Sequence, residues 1–156
     1  MHPLLCQFQS PNGTTLAGIY KGFVSLYRHG KTSHVPKIIA GSSFRKNPII
    51  QAFIKNLPHC EDLKAEDIQE TRVNEPLINW HSIDGDHALD AIRKSGGYAA
   101  FVTDKKMMIF SRIIREREGL SVLPASTAGL IVLIDRHRSE ALSSDRYVAV
   151  LTGRKQ

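Results

Sequence analysis

The sequence has only two cysteines, Cys6 and Cys60, and neither stands in a Cys-x-x-Cys or Cys/His ligand spacing. That excludes a disulfide-stapled secreted scaffold and a zinc module, and a reducing, cytoplasmic setting is the expectation. Long apolar runs are missing too. The longest, Ala128 to Ile134, falls far short of the ~20 residues that cross a bilayer. Met1-His2-Pro3 begins no basic and then apolar leader pattern, so neither a membrane partner nor export is expected. There is no Walker lysine motif, no Gly-x-Gly-x-x-Gly, no Gly-x-Ser-x-Gly elbow and no zincin or EF-hand spacing. Concentrated positive charge is absent as well. The 21 Lys+Arg against 15 Asp+Glu give +6, but they are scattered, with short pairs such as Arg45-Lys46 and Lys105-Lys106. The charge therefore reads as solvation, with no nucleic-acid partner.

What is present is the balance of an ordinary globular chain, 42% hydrophobic and 23% charged over 156 residues. A chain of this length hides roughly 70% of its unfolded surface, enough for a core without staples. Pro3 to Gln9 reads as a strand ended by the turn residues Ser10-Pro11-Asn12-Gly13. Leu16, Ile19, Tyr20, Phe23, Val24 and Tyr27 then recur at helical spacing up to Gly30, which stands where a helix-terminating glycine would. Pro36 to Ala40 reads as a second strand, and Asn47-Pro48 as the cap and first residue of a helix with Ile49, Ile50, Phe53, Ile54 and Leu57 inward.

Residues 58–81 are polar and too long for a simple connection, with a short helix expected near Ala65 to Ile68. A helix over Asp86 to Lys94 leads to a strand over Tyr98 to Thr103. Asp104 is placed as the cap of a helix over Lys105 to Glu118, with Met107, Phe110, Ile113 and Ile114 inward and Arg112 paired to Glu116. Pro124 to His137 reads as one more helix and Arg146 to Thr152 as a last strand. Strands separated by helices call for an α/β class: three layers, α/β/α, around a mostly parallel sheet of about four strands. Ligands of such sheets collect outside the strands' carboxyl ends. The Ser10 to Thr15 loop, the end of the Tyr98 strand and Thr152-Gly153 lie there.

In the Ser10 to Thr15 loop, backbone N–H groups and the positive end of a helix dipole converge, which suits an anion. Gly13 allows close backbone approach, and Thr14 and Thr15 carry hydroxyl donors; by themselves the same residues make an ordinary turn and cap. The cluster His81-Ser82-Ile83-Asp84-Gly85-Asp86-His87 reads as an acid-favoured helix start, and no metal is assigned. Ser126, Asp135 and His137 fall along one expected helix without an elbow, so no hydrolase triad is assigned. Cys6 reads as a buried strand residue, and Met107 and Met108 as packing.

Four stretches together resemble the pyridoxal-phosphate (PLP) enzymes of fold type II, and among them threonine synthase and its relatives. Residues 11–23, Pro-Asn-Gly-Thr-Thr-Leu-Ala-Gly-Ile-Tyr-Lys-Gly-Phe, resemble that family's cofactor-phosphate loop and following helix. Asn47-Pro48-Ile49-Ile50 is similar to its Cys-Asn-Pro-Ile segment, and Thr71-Arg72-Val73-Asn74-Glu75-Pro76 with Trp80 to its Ile-Arg-Ile-Gly-Asn-Pro...Trp stretch. Glu118-Gly119-Leu120, Pro124-Ala125-Ser126 and Val150-Leu151-Thr152-Gly153 resemble its closing motifs.

The resemblance implies PLP as cofactor, with Asn12, Gly13, Thr14 and Thr15 holding its phosphate and Thr152 bonding the pyridine nitrogen. Thr71 to Pro76 would lie near one face of the ring. It also implies that residues 1–156 form a single α/β domain, the carboxyl-terminal portion of the family's large domain. The Schiff-base lysine belongs to an amino-terminal half not found here, and Ser43-Phe44-Arg45-Lys46 is only superficially like its motif. No catalytic residue is assigned. Pro11 replaces a loop glycine and so removes an N–H donor, and Leu123 stands where the family has glutamate. The expectation is a fragment or subunit of a threonine synthase-like lyase, inactive alone. It would act on O-phosphohomoserine or a similar phosphorylated amino acid once a complementing half is supplied, as a homo-oligomer or with a second chain. The alternative is a non-catalytic α/β module that binds a phosphorylated ligand or a partner protein.

Overall fold

The structure, a computed structural model, describes residues 4–7 as backbone, 12–140 and 146–153. Four strands, β1 (Leu4–Gln7), β2 (Lys37–Ser43), β3 (Tyr98–Val102) and β4 (Tyr147–Ala149), form one sheet in the order β3-β2-β1-β4. Every pairing is parallel, with Cys6 opposite both Ile39 and Ala149. Parallel neighbours need crossover connections, and helices supply them. These are α1 (Thr14–Arg28), α2 (Pro48–Ile54), α3 (Gly85–Lys94), α4 (Asp104–Glu118) and α5 (Ala128–Ser139).

The central strand β2 shows why there are three layers. Side chains alternate across a strand, so Ile38 and Ala40 face one way and Ile39 the other. Ile38 and Ala40 pack with Leu16 of α1, Ile49 and Ile50 of α2, and Ala88, Ala91 and Ile92 of α3. Ile39 packs with Val102, Met107 of α4, and Ala128, Ile131 and Val132 of α5. Both faces are covered, and β2 is therefore an unbroken apolar and small-residue run rather than an alternating one. Where α5 crosses, the backbones touch: a Cβ on Gly41 would stand 2.6 Å from the Ala128 carbonyl and 2.7 Å from the Gly129 nitrogen.

Local signals position the ends of these elements. The Asn47 side chain accepts from the N–H groups of Ile49 and Ile50, with Pro48 at the first helical position. Gly30 and Gly119 take the left-handed conformation that closes α1 and α4. Several expectations shift by a residue or a turn. Thr103, not Asp104, caps α4: its extended backbone aims the hydroxyl at the Lys106 N–H, and Asp104 becomes the first helical residue. Ile113 is exposed, because the buried line of α4 runs through Met107, Phe110 and Ile114 and leaves it on the flank. Pro124 to His137 divides into a 3-10 turn, Pro124–Thr127, followed by α5. The last strand pairs only over Tyr147–Ala149. The expected short helix in the polar connection is a 3-10 turn at Ala65–Asp67, joined by a second at Glu75–Leu77. The Cys6 side chain, Ser10 and Pro11 lie outside the described residues. No helix among the described residues is long and apolar enough to cross a membrane.

The contact between Gly41 and α5 gives a direct test. Gly41→Val should destabilise the protein by about 2–3 kcal/mol, because a buried side chain must displace backbone rather than another side chain. Urea unfolding measures this, and an unchanged midpoint would contradict the close approach.

Candidate functional site

Strand order fixes where a ligand can sit. From β1 the chain steps through β2 to β3 on one side and then returns to lay β4 on the other side of β1. On the β1 side, Gly13 ahead of α1 stands against Ala88, Asp84 and Ile49. Past β4 the chain turns the opposite way, where the Gly153 N–H donates to Ser126 Oγ at 2.9 Å and its carbonyl accepts from the Leu123 N–H at 3.0 Å. Adjacent strands whose chains leave toward opposite faces open a crevice at their carboxyl ends. Asn12 to Thr15 stand past one tip of that crevice and Thr152 past the other.

The Asn12 to Thr15 loop is anchored from behind. Asn79 Nδ2 donates to Asn12 Oδ1 at 2.7 Å, and the Asp84 N–H donates to the Asn12 carbonyl at 2.8 Å. Gly13 has φ 81°, and a Cβ there would stand 2.8 Å from both the Ala88 Cβ and the Asp84 carbonyl. Only glycine fits that turn. Gly13 also leaves α1 without a side-chain cap, and the first turn of α1 carries no acid. Thr14 and Thr15 are exposed on that turn, and Thr14 Oγ1 donates to Asp84 Oδ2 at 2.5 Å.

The polar connection lies along the same rim. Ser42 at the end of β2 donates through its hydroxyl to the Leu77 carbonyl at 2.9 Å, and the Asn79 N–H donates to the Lys46 carbonyl at 3.0 Å. Asp104 gathers this region. Its carboxylate accepts from Thr71 Oγ1 at 2.7 Å, Asn74 Nδ2 at 3.2 Å and Ser43 Oγ at 3.3 Å. Asn74 is buried, and its side-chain Oδ1 accepts the Thr71 N–H. The start of α4 favours negative charge, so the carboxylate ties three segments together at a favoured place.

A model of the family described as "Pyridoxal-phosphate dependent enzyme" matches residues 8–153. The chain belongs to that family. Threonine synthase from Methanocaldococcus jannaschii is 29% identical over 145 residues, which cover 91% of this chain and 34% of that protein. Threonine synthase from Methanosarcina acetivorans is 32% identical over 127 residues, 80% of this chain and 30% of that one. The chain thus spans about a third of the length of the curated relatives it matches. Among solved structures, the L-serine ammonia-lyase from Rhizomucor miehei shares the fold with a TM-score of 0.66 at 18% identity, covering 99% of this chain and 45% of that chain.

PLP is the family's cofactor, and the donor set at the β1/β4 crevice fits its phosphate: an uncapped helix start without a first-turn acid, two threonine hydroxyls and the Asn12 amide. One neighbour does not suit an anion, namely the Asp84 carboxylate at Thr14. The other clusters stay apart from the crevice chemistry. His81 pairs with Asp62 at 2.8 Å and His59 with Asp86 at 3.2 Å, and no group of metal-ligating residues occurs among the described residues. Asp135 binds Lys106 at 2.7 Å while Ser126 binds Gly153, so the residues considered for a triad serve separate contacts. In Ser43-Phe44-Arg45-Lys46, Ser43 ends β2 and the rest is the turn past it, with Lys46 Nζ bonded to the Gln69 carbonyl.

Sequence reasoning missed four residues that hold this PLP-family rim: Asn79, Asp84, Asp104 in its bridging role, and Ser126. Asp84, Asp104 and Ser126 had readable signals, as a helix start, a helix cap and part of Pro-Ala-Ser-Thr, but none that pointed to these partners, and Asn79 had none. Cys60 is the opposite of a reactive thiol. Burial first, then the charge and hydrogen bond of Asp86, push its pKa up to about 12 from an ordinary 9.0.

Two outcomes follow from these contacts. Asp104→Ala should cost about 2 kcal/mol, since it strands donors that now reach a carboxylate. Hydrogen exchange at the Thr71 and Asn74 amides should speed up before global unfolding. Cys60, followed by peptide mapping at pH 8, should alkylate at least about tenfold more slowly than in the unfolded chain, because so little thiolate forms. Folding raises this pKa, so the thiol's contribution to stability is intact below pH 9.0 and is lost as the pH climbs toward about 12.

Proposed function

We propose that this chain forms the phosphate-binding and ring-nitrogen side of a PLP site in a threonine synthase-like lyase. The lyase eliminates or replaces phosphate on O-phosphohomoserine or a similar phosphorylated amino acid. The observation that supports the reading is the parallel pairing of β1 with β4, since the chain runs on from their carboxyl ends to Gly13 and to Thr152. PLP, when bound, supplies the electron sink for bond breaking at the substrate's α and β carbons.

The chain's own residues do the holding. Backbone N–H groups at the start of α1 and the hydroxyls of Thr14 and Thr15 receive the phosphate oxygens, with the Asn12 amide closing the loop. The Thr152 hydroxyl, exposed just past β4, donates to the ring nitrogen without protonating it. A neutral partner leaves the ring less electron-poor than a carboxylate would, which suits elimination and replacement chemistry. Thr71 to Pro76, fixed through Asp104, would lie near one face of the ring. The lysine that holds the cofactor covalently comes from polypeptide outside these 156 residues, in the same or a second chain. The setting is cytoplasmic.

A second reading, a non-catalytic module that binds phosphorylated ligands, is favoured by the acid at Thr14 and by Pro11, which offers no N–H. Calorimetry with pyridoxine 5′-phosphate, pyridoxine and inorganic phosphate separates the two. The PLP-site reading expects the phosphorylated ring to bind at least about tenfold better than either part, a difference of roughly 1.4 kcal/mol. Thr15→Val should weaken the phosphorylated ligand, and Thr152→Val should weaken ring recognition with less effect on inorganic phosphate. Equal affinities for all three ligands would leave only a general anion site. The chain alone with PLP should show no visible absorbance from lysine-held cofactor. That band should appear when a lysine-bearing amino-terminal segment is added, and its failure to appear would count against a divided active site.

A further inference from the structure

The acid beside the phosphate loop has its own consequence. Asp84 precedes α3 at the N-cap position, yet its carboxylate makes no cap bond to that helix. It reaches instead to the first turn of α1, accepting the Thr14 hydroxyl at 2.5 Å, while its backbone N–H holds the Asn12 carbonyl at 2.8 Å. A residue 70 positions away in sequence thus supplies negative charge to a helix start that has no acid of its own. That is where a helix dipole stabilises an anion, and it engages a hydroxyl the phosphate would otherwise receive.

We propose that Asp84 is an internal competitor of the cofactor phosphate: its carboxylate holds the Thr14 hydroxyl and must give it up when a phosphorylated ligand enters. The inference rests on the phosphate-loop reading above. Two effects act together. The Thr14 proton is committed to the carboxylate, so a phosphate oxygen gains that donor only by breaking the existing bond. The carboxylate also repels a phosphate dianion across a few ångströms, an exposed and screened repulsion on the order of a threefold to tenfold change in affinity. Asp84 therefore lowers the loop's affinity for any phosphate by a common factor, and ring contacts are what leave a phosphorylated ring ahead of bare inorganic phosphate.

Asp84→Asn is the decisive variant. Asparagine keeps the size, the backbone bond to Asn12 and a good N-cap preference, so the fold should persist, checked by circular dichroism. Asp90→Asn, on the exposed face of α3 and paired with Lys94, removes the same charge away from the loop. Calorimetry on the full chain with pyridoxine 5′-phosphate, inorganic phosphate and pyridoxine should show Asp84→Asn binding both phosphates about threefold to tenfold more tightly. The two phosphates should gain by similar factors, pyridoxine should be unchanged, and Asp90→Asn should stay within about twofold of the parent for all three. Phosphate-selective binding that Asp84→Asn leaves unaltered, or that Asp90→Asn improves equally, overturns the competitor role and spares the phosphate-loop reading. Absence of phosphate selectivity in parent and variant alike removes that reading and this inference with it.

Discussion

Adjacent parallel strands that hand their chains to opposite faces cannot stay closed at their carboxyl ends, and this constraint organises the molecule. β1 and β4 are such a pair. The chain leaving β1 packs against α3, and the chain leaving β4 packs against the Leu123 to Ser126 segment. This divergence is a product of winding rather than of any one side chain. A helix start with its N–H groups outward stands on one side and a strand tip with a hydroxyl on the other. The family's cofactor, with an anionic phosphate at one end and a ring nitrogen at the other, makes the same two demands.

The elements were legible because their signals are local. A helical apolar repeat ended by Gly30, a proline behind Asn47 and a glycine after Glu118 each act within a few residues, so spacing alone located α1, α2 and α4. The errors were also local competitions. Thr103 and Asp104 are both acceptable caps, and the length of β3 decided between them by leaving Thr103 extended. Ile113 and Ile114 are equally apolar, and the path of α4 over the sheet buried only one. The candidate site was legible only as a set of segments. What joins them, Asp84 to Thr14 and Asp104 to Thr71 and Asn74, spans 70, 33 and 30 residues. No pattern of spacing encodes a hydrogen bond across such separations.

The division of labour between core and rim explains how a sequence can depart from its family without losing the fold. Ile38, Ile39, Ile92, Met107 and Ile131 are sealed between sheet and helices, whereas Thr14, Thr15 and Thr152 are exposed at the strand tips. A change on the rim alters what can be bound while leaving the packed layers alone. Leu123 shows how. At a position where the resemblance implies a glutamate, its backbone N–H donates to the Gly153 carbonyl, a bond no side chain decides. Its methyl groups close over Gly153, where even a Cβ would stand 2.7 Å from the Leu123 Cδ1 atom. The leucine therefore helps hold the chain after β4 in place. Departures of this kind bear on what the rim can bind, and a central strand packed on both faces does not by itself supply a set of reacting groups.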